Sequence, residues 1–146
     1  MTAEPLQIHE LHACADPECL GKVHNLLAEM WDTSPDVSEL DRAMFETAVI
    51  EIAANIIRHG NDEGSTLCNL TLEVYPDRLE AHLRDDGLIA HVNLDAATMP
   101  DSFAESGRGL ALAKAAVDIL TYERHHDNNI WTLRRTRSCS TESGPR

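Results

Sequence analysis

Hydrophobic and polar positions alternate along this chain with two different periods. Between Leu6 and His12 the alternation runs close to every second residue, which predicts a first strand. After Asp16-Pro17, an N-cap followed by a first-turn proline, apolar residues recur at helical spacing. Leu20, Val23, Leu27 and Met30 or Trp31 then share the inner face of a helix that ends near Asp32-Thr33-Ser34-Pro35. A longer helix is predicted from Ser38 to His59-Gly60, with Phe45, Val49, Ile52 and Ile56 gathered on one side. Asp41 follows Ser38 as a variant of the capping box, and Gly60 suits the C-terminal cap.

Beyond a turn at Asn61–Ser65, strand periodicity returns at Thr66–Tyr75 and Arg78–Arg84, joined by Pro76-Asp77 as in a hairpin. Leu70, Leu72 and Val74 alternate with polar residues, as do Leu79, Ala81 and Leu83, so one face of this sheet is expected to be buried. From Asp86 to Gly107 the periodicity fades, which predicts a long loop of the lid or binding type, with a short helical turn near Leu94. A helix from Gly109 to about Leu120 follows, with Leu110, Ala113, Ala116, Val117 and Leu120 inward. Strands at Leu120–His125 and Asn129–Arg135 then turn at residues 126–129, and residues 137–146 read as a disordered tail.

Composition narrows the function classes. A length of 146 residues supports one core and a single domain over residues 5–136. No run of about 18 apolar residues is present, and Met1-Thr2-Ala3-Glu4-Pro5 lacks the basic start of a signal peptide, so a cytoplasmic protein without membrane contact is expected. Cys14, Cys19, Cys68 and Cys139 form no C-x-x-C pair and read as reduced thiols. His9-Glu10-Leu11-His12 brings its histidines one residue too close for the zinc-protease signature. A net charge of −13 argues against direct nucleic-acid binding, and it obliges any phosphorylated ligand to find helix amides, a divalent cation or local Arg and Lys.

The chemistry-bearing residues stand out against this background. Glu51, Asn55 and His59 recur every four residues and form a polar stripe on the long, otherwise apolar helix. A carboxylate and an amide one turn apart can hold a hydrated metal, orient a water or accept a proton; at a helix margin they also serve simply as solvated residues. Asp85-Asp86-Gly87 places a carboxylate acceptor at a strand end, where it can take a hydrogen bond from an exocyclic amine or cap a turn. In Gly107-Arg108-Gly109-Leu110, paired glycines before a helix let the backbone approach an anion.

Taken together and in this order, the three segments resemble the ATP-binding boxes of the Bergerat-fold superfamily of gyrases, heat-shock chaperones, histidine kinases and mismatch-repair ATPases. Within it the chain is similar to the small stand-alone anti-sigma factor serine kinases, over about residues 5 to 136. The resemblance implies an α+β two-layer sandwich, its mixed, mostly antiparallel sheet covered on one face by about three helices. It makes Glu51 the general base and Asn55 the ligand of a Mg2+ that bridges the phosphates of ATP, with His59-Gly60 as the usual end of that box. Asp85 would accept from the adenine amino group beside Gly87, and Gly107, Arg108, Gly109 and Leu110 would form the phosphate loop and helix start. One departure stands out: the D-x-G-x-G pattern has Ile89 for its second glycine, and a β-branched residue takes positive φ poorly. Either the lid follows another path or nucleotide is held more weakly. His125 and His126 match no family role and read as a surface turn.

The implied activity is transfer of the ATP γ-phosphoryl group to a serine of a partner protein. The implied partners are a STAS-type anti-sigma antagonist, a sigma factor or, in a homodimer, a second copy of the chain. Two alternatives belong to the same fold. One is an inactive module that acts by sequestration alone. The other is a detached histidine-kinase ATPase domain, which the absence of a helical hairpin around His9-Glu10 disfavours.

Overall fold

The computed structural model describes residues 4–14, 17–61, 67–87 and 105–138. In chain order the elements are β1 (Gln7–Cys14), α1 (Pro17–Asp32), α2 (Glu39–Asn61), β2 (Leu67–Val74), β3 (Arg78–Asp85), α3 (Glu105–Ala116), β4 (Ile119–His125) and β5 (Asn128–Thr136). The Asp16 cap, the turn at 62–66, the lid segment at 88–104 with Ile89 and Leu94, and the tail from 139 onward lie outside the described residues.

Local chemistry accounts for the element ends. The Ser38 hydroxyl accepts from the Asp41 N–H at 3.1 Å and so caps α2. At the end of α1, the Thr33 hydroxyl donates toward the carbonyls of Glu29 and Met30, both at 3.1 Å, satisfying acceptors that the helix leaves open. The β2–β3 hairpin closes with Tyr75 N–H on the Arg78 carbonyl at 2.8 Å, and the Arg78 guanidinium lies 3.7 Å over the Tyr75 ring. Between β4 and β5 the turn residue His126 takes a φ of 55°, the positive value that lets a two-residue loop follow the strand twist.

The five strands form one sheet in the order β1-β2-β3-β5-β4. Every pairing is antiparallel, so the sheet is uniform among the described residues where the sequence suggested some mixture. Register sorts the side chains by face: Leu70 opposes Leu83, Leu83 opposes Trp131, and Trp131 opposes Tyr122. This face packs under the three helices, with Trp131, Leu72, Leu79 and Leu133 sealed against Phe45, Ile52, Leu27 and Met30. The opposite face carries Glu73, Glu80, His82 and Arg134. There Glu80 sits nearly buried beneath Arg78 at 2.6 Å and Arg134 at 3.2 Å, which offsets its like-charged cross-strand neighbour Glu73.

Several boundaries and faces differ from the sequence reading. On α1 the buried stripe is Cys19, Val23, Leu27 and Met30; Leu20 and Trp31 pack at its margin, because the helix is rotated to bring Cys19 toward Cys68. Neither thiol is in a disulfide, and hydrogen bonding to Cys19 together with burial pushes the Cys68 thiol far up. Helix α2 runs through Gly60 to Asn61. Helix α3 starts at Glu105 and stops at Ala116, so Leu120 belongs to β4 alone, and Asn129 lies within β5 and outside the turn.

Residues 137 and 138, assigned to the tail by sequence, are tied into the fold. Arg137 Nη1 donates to the Tyr75 carbonyl at 2.8 Å, and the Ser138 N–H and hydroxyl donate to Asp41 Oδ2 at 2.8 and 2.9 Å. The other Asp41 oxygen accepts from Arg135 Nε at 2.9 Å, and Arg135 Nη1 reaches the Ala116 carbonyl at 2.9 Å. One buried carboxylate thereby joins the start of α2, the end of α3 and strand β5.

Burial alone would raise the Asp41 pKa, but the donors from Ser138, Arg135 and Ser38 outweigh it and hold the carboxyl below its ordinary 3.8. A depressed folded-state pKa contributes stability that is complete above the unfolded value and is lost as pH falls through the folded one. Asp41→Ala is therefore expected to cost about 3 kcal/mol in urea unfolding near neutral pH. The difference from wild type should shrink progressively below the ordinary carboxyl value of 3.8. A cost that stays constant down to acid pH would contradict this assignment.

Candidate functional site

Helix α2 must bury one side under the sheet, and the residues that escape that side carry the chemistry. Glu51 is half-buried, while Asn55, one turn on, is 2% exposed. The Glu51 carboxylate presses on the backbone of α3: a Cβ placed on Gly109 would lie 2.6 Å from Glu51 Oε1. An alanine at 109 would therefore have to push the flexible Glu51 carboxylate aside. Glu51 also lines a groove of about 450 Å3, together with His24, Ala43, Glu46, Thr47 and Ile50. Glu46 in its lining accepts from Trp31 Nε1 at 3.0 Å.

Asn55 is only half satisfied. Its Oδ1 accepts from Arg58 Nη2 at 2.9 Å, while the buried Nδ2 has no partner among the described residues. A buried amide nitrogen left unpaired costs about 1–3 kcal/mol. The hydrogen bonding of such a group can be completed by an acceptor atom of a ligand.

A second group forms at the end of β3. Asp85 is 5% exposed, and its Oδ1 accepts from Gly87 N–H and from Asn129 Nδ2, both at 2.9 Å. Among the described residues both of these donors take Oδ1, which leaves Oδ2 able to accept from a further donor. The Asn129 amide is itself fixed: the Tyr122 hydroxyl donates to its Oδ1, and Arg124 Nη1 donates to the same oxygen at 3.1 Å. Arg124 Nη1 also reaches the Gly87 carbonyl at 2.8 Å. Burial pushes the Asp85 carboxyl above its ordinary value, while the donors Asn129 and Gly87 act in the opposite direction.

The structure therefore gathers the sequence candidates into two groups, Glu51 with Asn55 and Gly109, and Asp85 with Gly87. Gly107 and Arg108 fall in the first turn of α3, where the sequence placed them ahead of a helix starting at Gly109. The amides left open by a helix beginning at Glu105 are those of its first turn, so Gly109 lies inside the hydrogen-bonded ladder. Leu110 is likewise internal and packs into the core. Arg58, Tyr122, Arg124 and Asn129 were missed. Asn129 reads as a turn residue in sequence, and only cross-strand register places it opposite Asp85.

Comparison with known proteins places this geometry in context. A model of the histidine kinase-like ATPase domain matches residues 13–135. No curated protein matches the chain. Among solved structures, the RsbU and RsbW domains of Rv1364c from Mycobacterium tuberculosis superpose with a TM-score of 0.61 at 18% identity over 91% of this chain. The chain spans only 33% of that longer protein. The SiaB–SiaC complex from Pseudomonas aeruginosa gives a TM-score of 0.60 at 12% identity, covering 90% of each chain. The catalytic domain of histidine kinase ThkA gives 0.53 at 12% identity, over 90% of this chain and 98% of that one. No helix among the described residues is long and apolar enough to cross a membrane. With a family model that covers all three helices and four of the five strands, leaving out most of β1 and the last residue of β5, the chain belongs to the histidine kinase-like ATPase domain family.

Proposed function

We propose that this protein binds ATP with Mg2+ and transfers the γ-phosphoryl group to a serine of a cytoplasmic partner protein. The partner class is a STAS-type anti-sigma antagonist, through which, or by direct sequestration, the protein regulates a sigma factor. The observation that carries the reading is the buried Asn55 amide with an unpaired Nδ2, one turn from a carboxylate that abuts Gly109. Membership of an ATPase domain family supports nucleotide binding. The partner reading draws on fold neighbours whose structures contain RsbU with RsbW domains and SiaB with SiaC.

The side chains fit the proposed ligands. Asn55 offers an amide oxygen to the metal once Arg58 yields it, and its unpaired Nδ2 suits a phosphate oxygen. Asp85 presents Oδ2 to the adenine amino group, with Gly87 allowing close approach. Gly107 and Arg108 place the first turn of α3, with its open backbone N–H groups, beside the phosphates, while Gly109 keeps the following turn free of a side chain and Leu110 anchors the helix in the core. When bound, Mg2+ would neutralise phosphate charge that a chain of net charge −13 otherwise repels. Glu51 takes the proton of the serine hydroxyl as its oxygen attacks, and the groove leading to Glu51 gives the serine-bearing segment a route in.

Three outcomes test this reading. Isothermal titration should show Mg2+-dependent ATP binding that Asn55→Ala weakens at least about tenfold, because a ligand atom is lost. Folded protein that takes up no ATP at millimolar concentration would end the proposal. Glu51→Gln should leave ATP affinity within a few-fold and slow phosphorylation of a candidate antagonist domain by roughly 10²–10⁴-fold. An unimpaired Glu51→Gln kinase would remove Glu51 from the mechanism; wild type that binds ATP and partner without phosphate transfer would be a sequestering module.

Gly109→Ala separates stability from activity. Alanine favours the helix by about 0.5–1 kcal/mol, yet its Cβ would meet the Glu51 carboxylate at 2.6 Å and drive it aside. Melting temperature at or near the wild-type value, with phosphoryl transfer reduced by at least about tenfold, is the expected pair of results. Full activity in the alanine variant would show that the Glu51 position against α3 is immaterial.

A further inference from the structure

Arg124 and Asn129 sit on the last two strands, outside every segment from which the nucleotide reading was drawn. Their geometry is specific. An Asn amide can present either its oxygen or its NH2 to a neighbour, and the choice is normally open to a flip. Here the Tyr122 hydroxyl and Arg124 Nη1 both donate to Asn129 Oδ1, so Nδ2 must point at Asp85. A flipped amide would set NH2 against a guanidinium and oxygen against a carboxylate. Arg124 also holds the Gly87 carbonyl at 2.8 Å, so the same cation fixes the backbone that donates to Asp85 from the other side.

We propose that Arg124 and Asn129 are positioning residues that set the base selectivity of the nucleotide site, by locking Asp85 so that only Oδ2 meets the base and meets it as an acceptor. The inference rests on the reading of Asp85 as the adenine contact. An ionised carboxylate accepts and cannot donate, so it takes the exocyclic amine of adenine and repels the carbonyl of guanine at the same place. A protonated carboxyl would tolerate both. Burial favours the protonated form, with Asp86 adding to it; Asn129 and Gly87, with Arg124 behind them, favour the ionised one. Across the strand pair, the described titratable group opposite Asp85 is the Cys68 thiol of β2, pushed up by Cys19 and by burial and therefore neutral.

The test uses the full chain with ATP and GTP in the presence of Mg2+, followed by titration calorimetry. Wild type should prefer ATP by roughly 10²-fold or more, the discrimination expected when a mismatched base leaves a buried polar group unpaired. Asn129→Leu should weaken ATP binding about tenfold and GTP binding less, and Arg124→Gln, a milder change on a part-exposed edge strand, should narrow the ATP-to-GTP ratio in the same direction. Asn129→Asp provides a readout that a merely structural role would not move. Two carboxyls at this distance share one proton, which replaces the lost N–H donor, so ATP affinity should approach wild type near about pH 5. It should fall as pH rises through the raised upper pKa of the pair, where wild type stays level.

An unchanged ATP-to-GTP ratio in both Asn129→Leu and Arg124→Gln, or a pH-independent Asn129→Asp, would overturn the proposal. Carbon-13 NMR of the Asp85 carboxyl, recorded without nucleotide, separates its failure from failure of the ATP reading. If wild type binds neither nucleotide, the function proposed above falls. The lock itself is then judged by whether Asp85 titrates at higher pH in Asn129→Leu than in wild type, and no such rise would refute it.

Discussion

The Asp41 carboxylate is the constraint on which the arrangement of the helices depends. It is almost wholly withdrawn from water, and a charge so placed is tolerated only where donors surround it. Arg135 of β5 supplies one and Ser138 two, and the same arginine reaches the last carbonyl of α3. Helix α2 is thereby pinned at its first turn to a particular strand and to the end of its neighbour. Its direction across the sheet follows, and with it the placement of Glu51 and Asn55 some three to four turns further along.

Once α2 is held there, its sequence serves two demands at once. Phe45, Val49, Ile52 and Ile56 fill the core, and Glu51 and Asn55 occupy the sides that remain. The compromise leaves marks. Among the described residues an amide nitrogen at Asn55 is buried without a partner, and a glycine occupies the middle of α3 where an added Cβ would meet the Glu51 carboxylate. Each weakens the fold on its own terms, by roughly a kcal/mol for an internal helical glycine and somewhat more for the amide. Departures of this kind concentrate where binding or catalysis needs them.

The group around Asp85 is built differently, by register. Asp85 and Asn129 are 44 residues apart, yet the antiparallel pairing of β3 with β5 sets them directly opposite and on the helix-covered face. Pairing of β5 with β4 then puts Arg124 opposite Asn129, so three strands contribute to one hydrogen-bonded chain. A sheet offers precision that a loop does not, because each residue is held by its neighbours on both sides.

The sequence by itself determined the element types and most of their order. Period-2 and period-3.6 patterns are local, and they report which side of each segment is apolar regardless of what covers it. The capping serine at 38, the proline at 17 and the Pro76-Asp77 connection act within a few residues, so they too were legible, while Glu51, Asn55 and Asp85 stood out as candidates through their spacing and resemblance. Tertiary structure decided the rest. The rotation that buries Cys19 in place of Leu20, the anchoring of Arg137 and Ser138, the early start of α3, the approach of Glu51 to Gly109 and the pairing of Asn129 with Asp85 all depend on segments remote in the chain. Periodicity carries no information about which strand lies beside which, or about how closely two helices approach, and those distances are what turn separate motifs into a site.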